Sequence, residues 1–193
     1  MVPLPFLLRY GKDLALQPKL LAVQESDEPE VWSLLAKKGV VVSAASLAGW
    51  EVTGMPGYAE GFVRGTLLGG WGALPADARI TFGARPLSAL RRAAAGEKVA
   101  VLLDREQTAA VGSLPFASDL EVVTRSKPLP SGFMCTVGTR TPPAETERIL
   151  KAMLHLMDTD AGREVLKTMR MSRFKQVDQP ALDAIRRQSA GTE

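Results

Sequence analysis

The sequence contains few of the side chains that most often carry covalent or metal chemistry. Its 193 residues include 1 cysteine and 1 histidine, which are Cys135 and His155. A single cysteine excludes an internal disulfide and a cysteine-rich metal site, and a single histidine gives little basis for a histidine zinc site or a serine–histidine–aspartate triad. His155 is expected to face solvent, and Cys135 is expected to be a buried, inert thiol. We therefore predict no catalytic residues, no metal site and no cofactor, so that the protein is not an enzyme.

Aromatic residues, runs of like charge and long apolar stretches are also scarce. Aromatic residues make up 6% of the chain, too few for a platform that stacks single-stranded nucleic acid. The 24 basic and 21 acidic residues are dispersed, which argues against a nucleic-acid partner. No stretch reaches the ~18 apolar residues of a membrane-spanning helix. The apolar start, Met1–Tyr10, is short and broken by two prolines, unlike a signal peptide. Taken from this start, the chain is expected to be cytoplasmic.

The residue pattern predicts an α/β protein, because helical and extended segments alternate along the chain. Apolar runs predict strands at 19–24, 31–37, 50–53, 79–82, 98–103, 120–125 and 133–137. Amphipathic segments predict helices at 6–14, 58–68, 86–95, 104–111, 161–169 and 179–193, and a further helix that opens at 141–145. Thr141 is the expected cap of that further helix, and Asp158 or Asp160 the expected cap of the next.

Three segments that follow predicted strands are candidates for ligand binding. At 53–58 a strand turns on glycines into a helix, which would present free N–H groups to an anion; a plain connecting turn explains the pattern equally well. Arg85 precedes the proline that begins a helix and could clamp an anion through two N–H groups, with a surface arginine as the alternative. Asp104, Arg105 and Glu106 follow the most apolar strand, where ligands gather in open α/β sheets.

Several segments, taken in order, resemble a known family. They are Val31–Lys38, Ala45–Thr53, the turn at Gly57–Tyr58, Ser88–Glu97, Val99–Asp104, Leu120–Ser126, Pro128–Pro130 and the closing helices through Asp160–Arg163. With this order and spacing, residues 2–178 resemble the phosphate- and phosphonate-binding family of ABC-transporter substrate-binding proteins, which has the type 2 periplasmic-binding-protein fold.

The resemblance implies an architecture and a function. It implies two α/β lobes, one at 44–124 and the other built from 1–43 with 125–193, which close over a small oxyanion such as phosphate or phosphonate in the cleft between them. It also implies an ABC permease as partner and a periplasmic location. The ligand-binding residues on this mapping are Met55, Gly57, Tyr58, Arg85, Asp104, Arg105 and Glu106.

The chain departs from the family at two places. Met55 and Pro56 stand where relatives usually carry the serine or threonine hydroxyls that hold the anion, so Arg85 would supply a replacement contact. The two βα units that begin the family are missing, which leaves the terminal lobe incomplete at its N-terminal part. We therefore expect either a truncated or mis-started chain, or a homodimer that covers the incomplete lobe. The alternative function is a ligand sensor or protein-interaction module that keeps the fold without transport.

Overall fold

The computed structural model describes residues 1–140 and 142–191, which form two compact units. Unit 1 consists of Met1–Pro29 with Leu129–Ala184, and unit 2 of Glu30–Pro128 with Ile185–Glu193. Each unit is therefore assembled from two separated stretches of chain. Each contains its own β-sheet, and the mixture of strands and helices confirms the predicted α/β class.

Strands and helices alternate through most of the described chain. The strands are β1 (Val2–Pro3), β2 (Leu16–Gln24), β3 (Ser33–Lys37), β4 (Glu51–Gly54), β5 (Arg79–Phe82), β6 (Val99–Leu103), β7 (Leu120–Arg125), β8 (Gly132–Val137) and β9 (Met171–Gln176). The α-helices are α1 (Leu4–Tyr10), α2 (Pro86–Ala94), α3 (Arg105–Ala110), α4 (Pro143–Leu154), α5 (Asp160–Thr168) and α6 (Gln179–Ala190).

Unit 2 is built on a five-stranded sheet of order β5-β4-β6-β3-β7. Strand β4 runs parallel to both β5 and β6, whereas β3 pairs antiparallel with β6 and β7. Every residue of β6 is buried, as expected for an apolar strand at the centre of a covered sheet. One face of the sheet packs against α2, whose Leu90 and Ala93 join Leu35, Val101 and Leu103 in the core.

Unit 1 is built on a four-stranded sheet of order β1-β8-β2-β9, in which all neighbouring pairs are antiparallel. Its core combines Leu20 and Ala22 of β2, Phe174 of β9 and Leu166 of α5. Helix α4 contributes partly buried residues to the same core, namely Leu150, Met153 and Leu154. Ile149 of the same helix and Met157, which follows it, are exposed.

Some predicted elements differ in detail from the observed ones. The helix predicted at 58–68 takes a different form, a 3-10 turn at Met55–Tyr58 followed by a π-helix at Phe62–Leu67. The cap of α5 is Thr159, whose hydroxyl accepts a hydrogen bond of 3.1 Å from the Gly162 N–H, so the assignment to Asp158 or Asp160 was wrong. Pro142 precedes α4, and the cap predicted at Thr141 lies outside the described residues.

The limits of the two units differ from those of the predicted lobes. The predicted lobes were 44–124 and 1–43 with 125–193. Residues 30–43 belong to unit 2, because β3 pairs with β6 on one side and β7 on the other. The second half of α6 also belongs to unit 2, where the Ser189 hydroxyl lies 2.8 Å from that of Thr66 in a buried pair. Within the described residues, no helix is both long and apolar enough to cross a bilayer.

Candidate functional site

The parallel strands of unit 2 bring the three predicted ligand-binding segments to one edge of the sheet. Gly54, at the end of β4, pairs with Phe82 at the end of β5 and with Leu102 near the end of β6. The carboxyl ends of these strands therefore lie side by side, about 5 Å apart from one strand to the next. The segments Met55–Tyr58, Gly83–Arg85 and Asp104–Glu106 follow directly, and we call this edge the strand-end site.

The turn after β4 depends on close backbone packing. Gly57 is buried, and a Cβ added there would collide with the carbonyl oxygen of Thr81 in β5. The Gly83 N–H donates a hydrogen bond of 3.0 Å to the Gly54 carbonyl oxygen, which ties the turn to the end of β5. The predicted glycine turn is thus present and held against the neighbouring strand.

A threonine hydroxyl lies beside this turn at a position that the sequence analysis did not select. Thr53 is 5% exposed, and a Cβ on Gly83 would collide with its Oγ1. The signal that could have identified Thr53 is its position in the chain. It is the last residue of β4 before Gly54, the glycine that ends the strand. The strand-end site therefore contains a hydroxyl two residues before Met55, the first position of the turn in which hydroxyls were expected.

Arg85 lies at the start of α2, directly before Pro86. Its side chain is exposed and forms no ion pair with any residue of 1–140 or 142–191. By contrast, Arg92 on the same helix is neutralised by Glu97 and Glu51 at 2.8 and 3.0 Å, and these two hydrogen bonds raise its pKa. Arg85 therefore carries a positive charge that is available to an anion.

The segment after β6 is already hydrogen-bonded to carboxylates of the chain itself. Asp104 caps α3 by accepting a hydrogen bond of 2.7 Å from the Gln107 N–H. The Arg105 N–H donates to Oε1 of Glu30 at 3.0 Å. The backbone amides at this helix start thus have partners, so Asp104, Arg105 and Glu106 offer side chains rather than free amides.

Glu30 is a second residue of this site that the sequence analysis missed. Burial raises the pKa of Glu30, and the nearby charges of Asp104 and Glu106 raise it further, whereas the hydrogen bond from the Arg105 N–H lowers it. The half of the strand-end site next to β3 is therefore acidic, and the half next to β5 carries Arg85.

Exposed apolar side chains are found in the same segments as these charged groups. Phe82 is 55% exposed and Met55 is 43% exposed. The ring of Tyr58 lies 6.2 Å from that of Phe82, with the two planes inclined by 54°. Phe82 was not among the predicted site residues, although it ends the strand predicted at 79–82.

The other residues considered from the sequence, His155 and Cys135, belong to unit 1. His155 is exposed and its Nδ1 lies 2.7 Å from an oxygen of Asp158, as expected for a solvent-facing position. Cys135 is half-buried in β8 rather than fully buried. Among the described residues, no group of three or more metal-ligating side chains is close enough together to hold an ion.

Comparison with known proteins identifies the class of protein that this fold defines. The model of a family of periplasmic substrate-binding proteins of phosphonate ABC transporters matches residues 78–182 of the 193, and the chain belongs to this family. No curated protein matches the sequence. The family assignment made from the sequence is confirmed.

Solved structures share the fold at low sequence identity. XAC2383 from Xanthomonas citri, solved with bound chloride, is 15% identical, with 98% of this chain and 74% of that one covered and a TM-score of 0.74. The same protein bound to ATP is 15% identical over 98% and 75% of the two chains, with a TM-score of 0.73. A binding-protein component of an ABC phosphonate transporter from Pseudomonas aeruginosa is 15% identical over 90% and 63%, with a TM-score of 0.53. The periplasmic-binding-protein fold is thereby confirmed.

Proposed function

We propose that the protein is the substrate-binding component of an ABC transporter and that it binds a small phosphorus oxyanion, phosphate or a phosphonate, at the strand-end site. The observation that carries this proposal is the exposed charge of Arg85, which forms no ion pair with any described residue and stands in the segment that follows β5, the strand paired with β4. A guanidinium can donate two parallel N–H bonds to one oxyanion, which makes it the side chain best suited to the task.

The distribution of charge favours one half of the site for the anion. The β6 end has three carboxylates, those of Glu30, Asp104 and Glu106, against the one guanidinium of Arg105. An anion is therefore disfavoured there, and the helix start already has carboxylate partners. At the β5 end, Arg85 and the Thr53 hydroxyl are both donors. The proposed position of the oxyanion is therefore between Thr53 and Arg85, with Met55, Gly57 and Tyr58 on its border.

The proposal involves binding without covalent chemistry, in keeping with the family to which the chain belongs. The ligand would be passed to a permease, and the location would be the periplasm. The structures of the Xanthomonas protein with chloride and with ATP support an anion as the ligand.

A second candidate function is an interaction module that keeps the fold. Its support is the place of β9 in unit 1, where this six-residue strand pairs with β2 and forms one edge of the sheet. An exposed strand edge can pair with another chain, and a second copy would produce the homodimer expected from the sequence. Light scattering on the purified protein distinguishes a dimer from a monomer of 20.7 kDa.

The proposed function is tested by calorimetric titration of the full chain with inorganic phosphate, methylphosphonate, sulfate, ATP and a small carboxylate. We expect saturable binding of at least one phosphorus oxyanion. A ligand present at 100 times its Kd adds about 2.7 kcal/mol to the free energy of unfolding, so thermal unfolding gives an independent readout. The absence of binding of the phosphorus compounds at millimolar concentrations would contradict the proposal, even if sulfate or the carboxylate bound.

A further inference from the structure

We infer that the bound oxyanion carries an apolar or aromatic substituent, which lies against Phe82, Met55 and Tyr58. This inference rests on the proposed function and specifies the class of ligand for the same site. Its starting point is that Phe82 and Met55 expose large apolar side chains at the sheet edge where the anion is proposed to bind.

The exposure of Phe82 follows from the strand pairing. Its partner in β4 is Gly54, which has no side chain to cover the ring. A Cβ at Gly54 would come within 2.6 Å of the Leu102 carbonyl oxygen. The close packing of β4 on β6 therefore excludes a side chain at this position. The fold thus leaves one face of the Phe82 ring without a neighbour on the adjacent strand.

The Tyr58 ring supplies a second apolar surface for the substituent, beside that of Phe82. It stands 6.2 Å from the Phe82 ring at an inclination of 54°, so the two rings form an angled pair rather than a stack. Aromatic rings favour such inclined contacts at centroid distances of about 4.5–7 Å, and a third ring or an alkyl group can join them in the same way. Met55, which directly follows Gly54, adds a flexible and polarisable side chain beside them.

The apolar surface and the positive charge lie within the reach of one small molecule. Only Gly83 and Ala84 separate Phe82 from Arg85, and three residue steps span at most about 11 Å. An oxyanion held by Arg85 can therefore place a substituent of a few carbon atoms against Phe82. Inorganic phosphate would gain nothing from these side chains, because neither Met55 nor Phe82 donates a hydrogen bond.

The test is a calorimetric titration of the full chain with methylphosphonate, butylphosphonate and phenylphosphonate, which share one headgroup. We expect the Kd to fall at least tenfold from methylphosphonate to phenylphosphonate, with butylphosphonate between them. In Phe82→Ala we expect that difference to shrink to less than threefold, because the Kd for phenylphosphonate should rise far more than the Kd for methylphosphonate. Leu14→Ala, which removes an apolar side chain of similar exposure from unit 1, is the matched control and should keep the full difference.

The outcomes separate the two proposals. Equal affinity of the wild-type protein for methyl- and phenylphosphonate overturns the inference and leaves the proposed function intact. A loss in Phe82→Ala that is the same for all three ligands also overturns it, because the ring would then only support the turn. If none of the three binds, the inference fails, and the proposed function fails with it unless another phosphorus compound of the wider panel binds. Should Phe82→Ala not fold, the affinity ratio of the wild-type protein still decides the question.

Discussion

The backbone N–H of Arg105 donates a hydrogen bond of 3.0 Å to the carboxylate of Glu30, which lies 75 residues earlier in the chain. The carboxylate occupies the start of α3, a position where an exogenous anion would otherwise find a free amide. Because burial and two neighbouring acids raise the pKa of Glu30, its ionised form is less favourable in the folded protein than in the unfolded chain.

The first prediction concerns the pH dependence of stability at Glu30. A carboxyl whose pKa is raised by folding stabilises the protein fully below its unfolded value, 4.5, and this contribution is lost as the pH rises through the folded-state pKa. Glu30→Gln keeps an oxygen that can accept from the Arg105 N–H but does not ionise. We expect the stability of Glu30→Gln relative to the wild type to increase as the pH rises from below 4.5 to neutral, measured by urea unfolding. Glu25→Gln, at an exposed carboxylate, is the control, and a relative stability of Glu30→Gln that does not change with pH contradicts the prediction.

The second prediction concerns Arg85. Arg85→Ala removes a guanidinium that forms no ion pair with the described residues, so the fold should keep its stability while the anion loses a charged hydrogen-bond donor. Hydrogen bonds to charged groups contribute roughly 1.5–3 kcal/mol, which corresponds to about a 10- to 150-fold rise in Kd. Arg91→Ala makes the same change of net charge on the same helix, in its last turn. Equal weakening by the two variants would show a general electrostatic effect and would exclude Arg85 as a contact.

The third prediction concerns the buried turn at Gly57. In Gly57→Ala the new methyl group meets the Thr81 carbonyl oxygen, so either the turn or the end of β5 must move. Overpacking of this kind costs about 1–3 kcal/mol, and the shift should also weaken anion binding. Gly112→Ala is the control, because an added Cβ there meets no atom within 4 Å. It should be neutral or stabilising by less than about 1 kcal/mol. Chemical unfolding compares the two variants, and similar losses in both would contradict the packing argument.

The fourth prediction concerns the buried hydroxyl pair of Thr66 and Ser189, whose oxygens lie 2.8 Å apart. Either Thr66→Val or Ser189→Ala leaves the other hydroxyl without this partner, at a cost of about 1–3 kcal/mol. The double variant removes both hydroxyls, so its loss should be smaller than the sum of the single losses by about 1 kcal/mol. Unfolding of the four proteins measures this coupling energy, and strict additivity would show that the pair contributes nothing as a pair.

Much of the fold could be predicted from local sequence patterns. The strands predicted at 79–82 and 120–125 have the observed limits of β5 and β7, and Pro86 marks the first residue of α2 as expected. These segments have short apolar runs or a strong start signal, so neighbouring residues alone determine their conformation.

The elements that were not predicted depend on distant partners. Strand β9, Met171–Gln176, alternates buried and charged residues too irregularly for a local prediction, and it forms because it pairs with β2. Strand β1 has two residues and exists through its pairing with β8. The same reason explains the omission of Glu30 from the predicted site, since only the alignment of β3 with β6 brings it to Arg105.

The sequence was enough to predict that the ligand-binding segments lie together. It was not enough to predict which side chains of the neighbouring strands lie beside them. Predicting the strands at 50–53, 79–82 and 98–103 was enough to suggest that the loops after them carry a site. To predict that the Phe82 ring is exposed and that the Thr53 hydroxyl lies at the site, one must know the strand register, which the sequence does not contain.

The discontinuous make-up of the two units has a consequence for biosynthesis. The ribosome completes residues 30–128, which contain all five strands of the unit 2 sheet, before it synthesises β8 and β9, the strands that pair with β2. The sheet of unit 2 can therefore form while translation continues, whereas β2 of unit 1 stays without both of its strand partners until more than a hundred further residues have emerged. During that interval the backbone N–H and C=O groups of β2 are open to pairing with other strands.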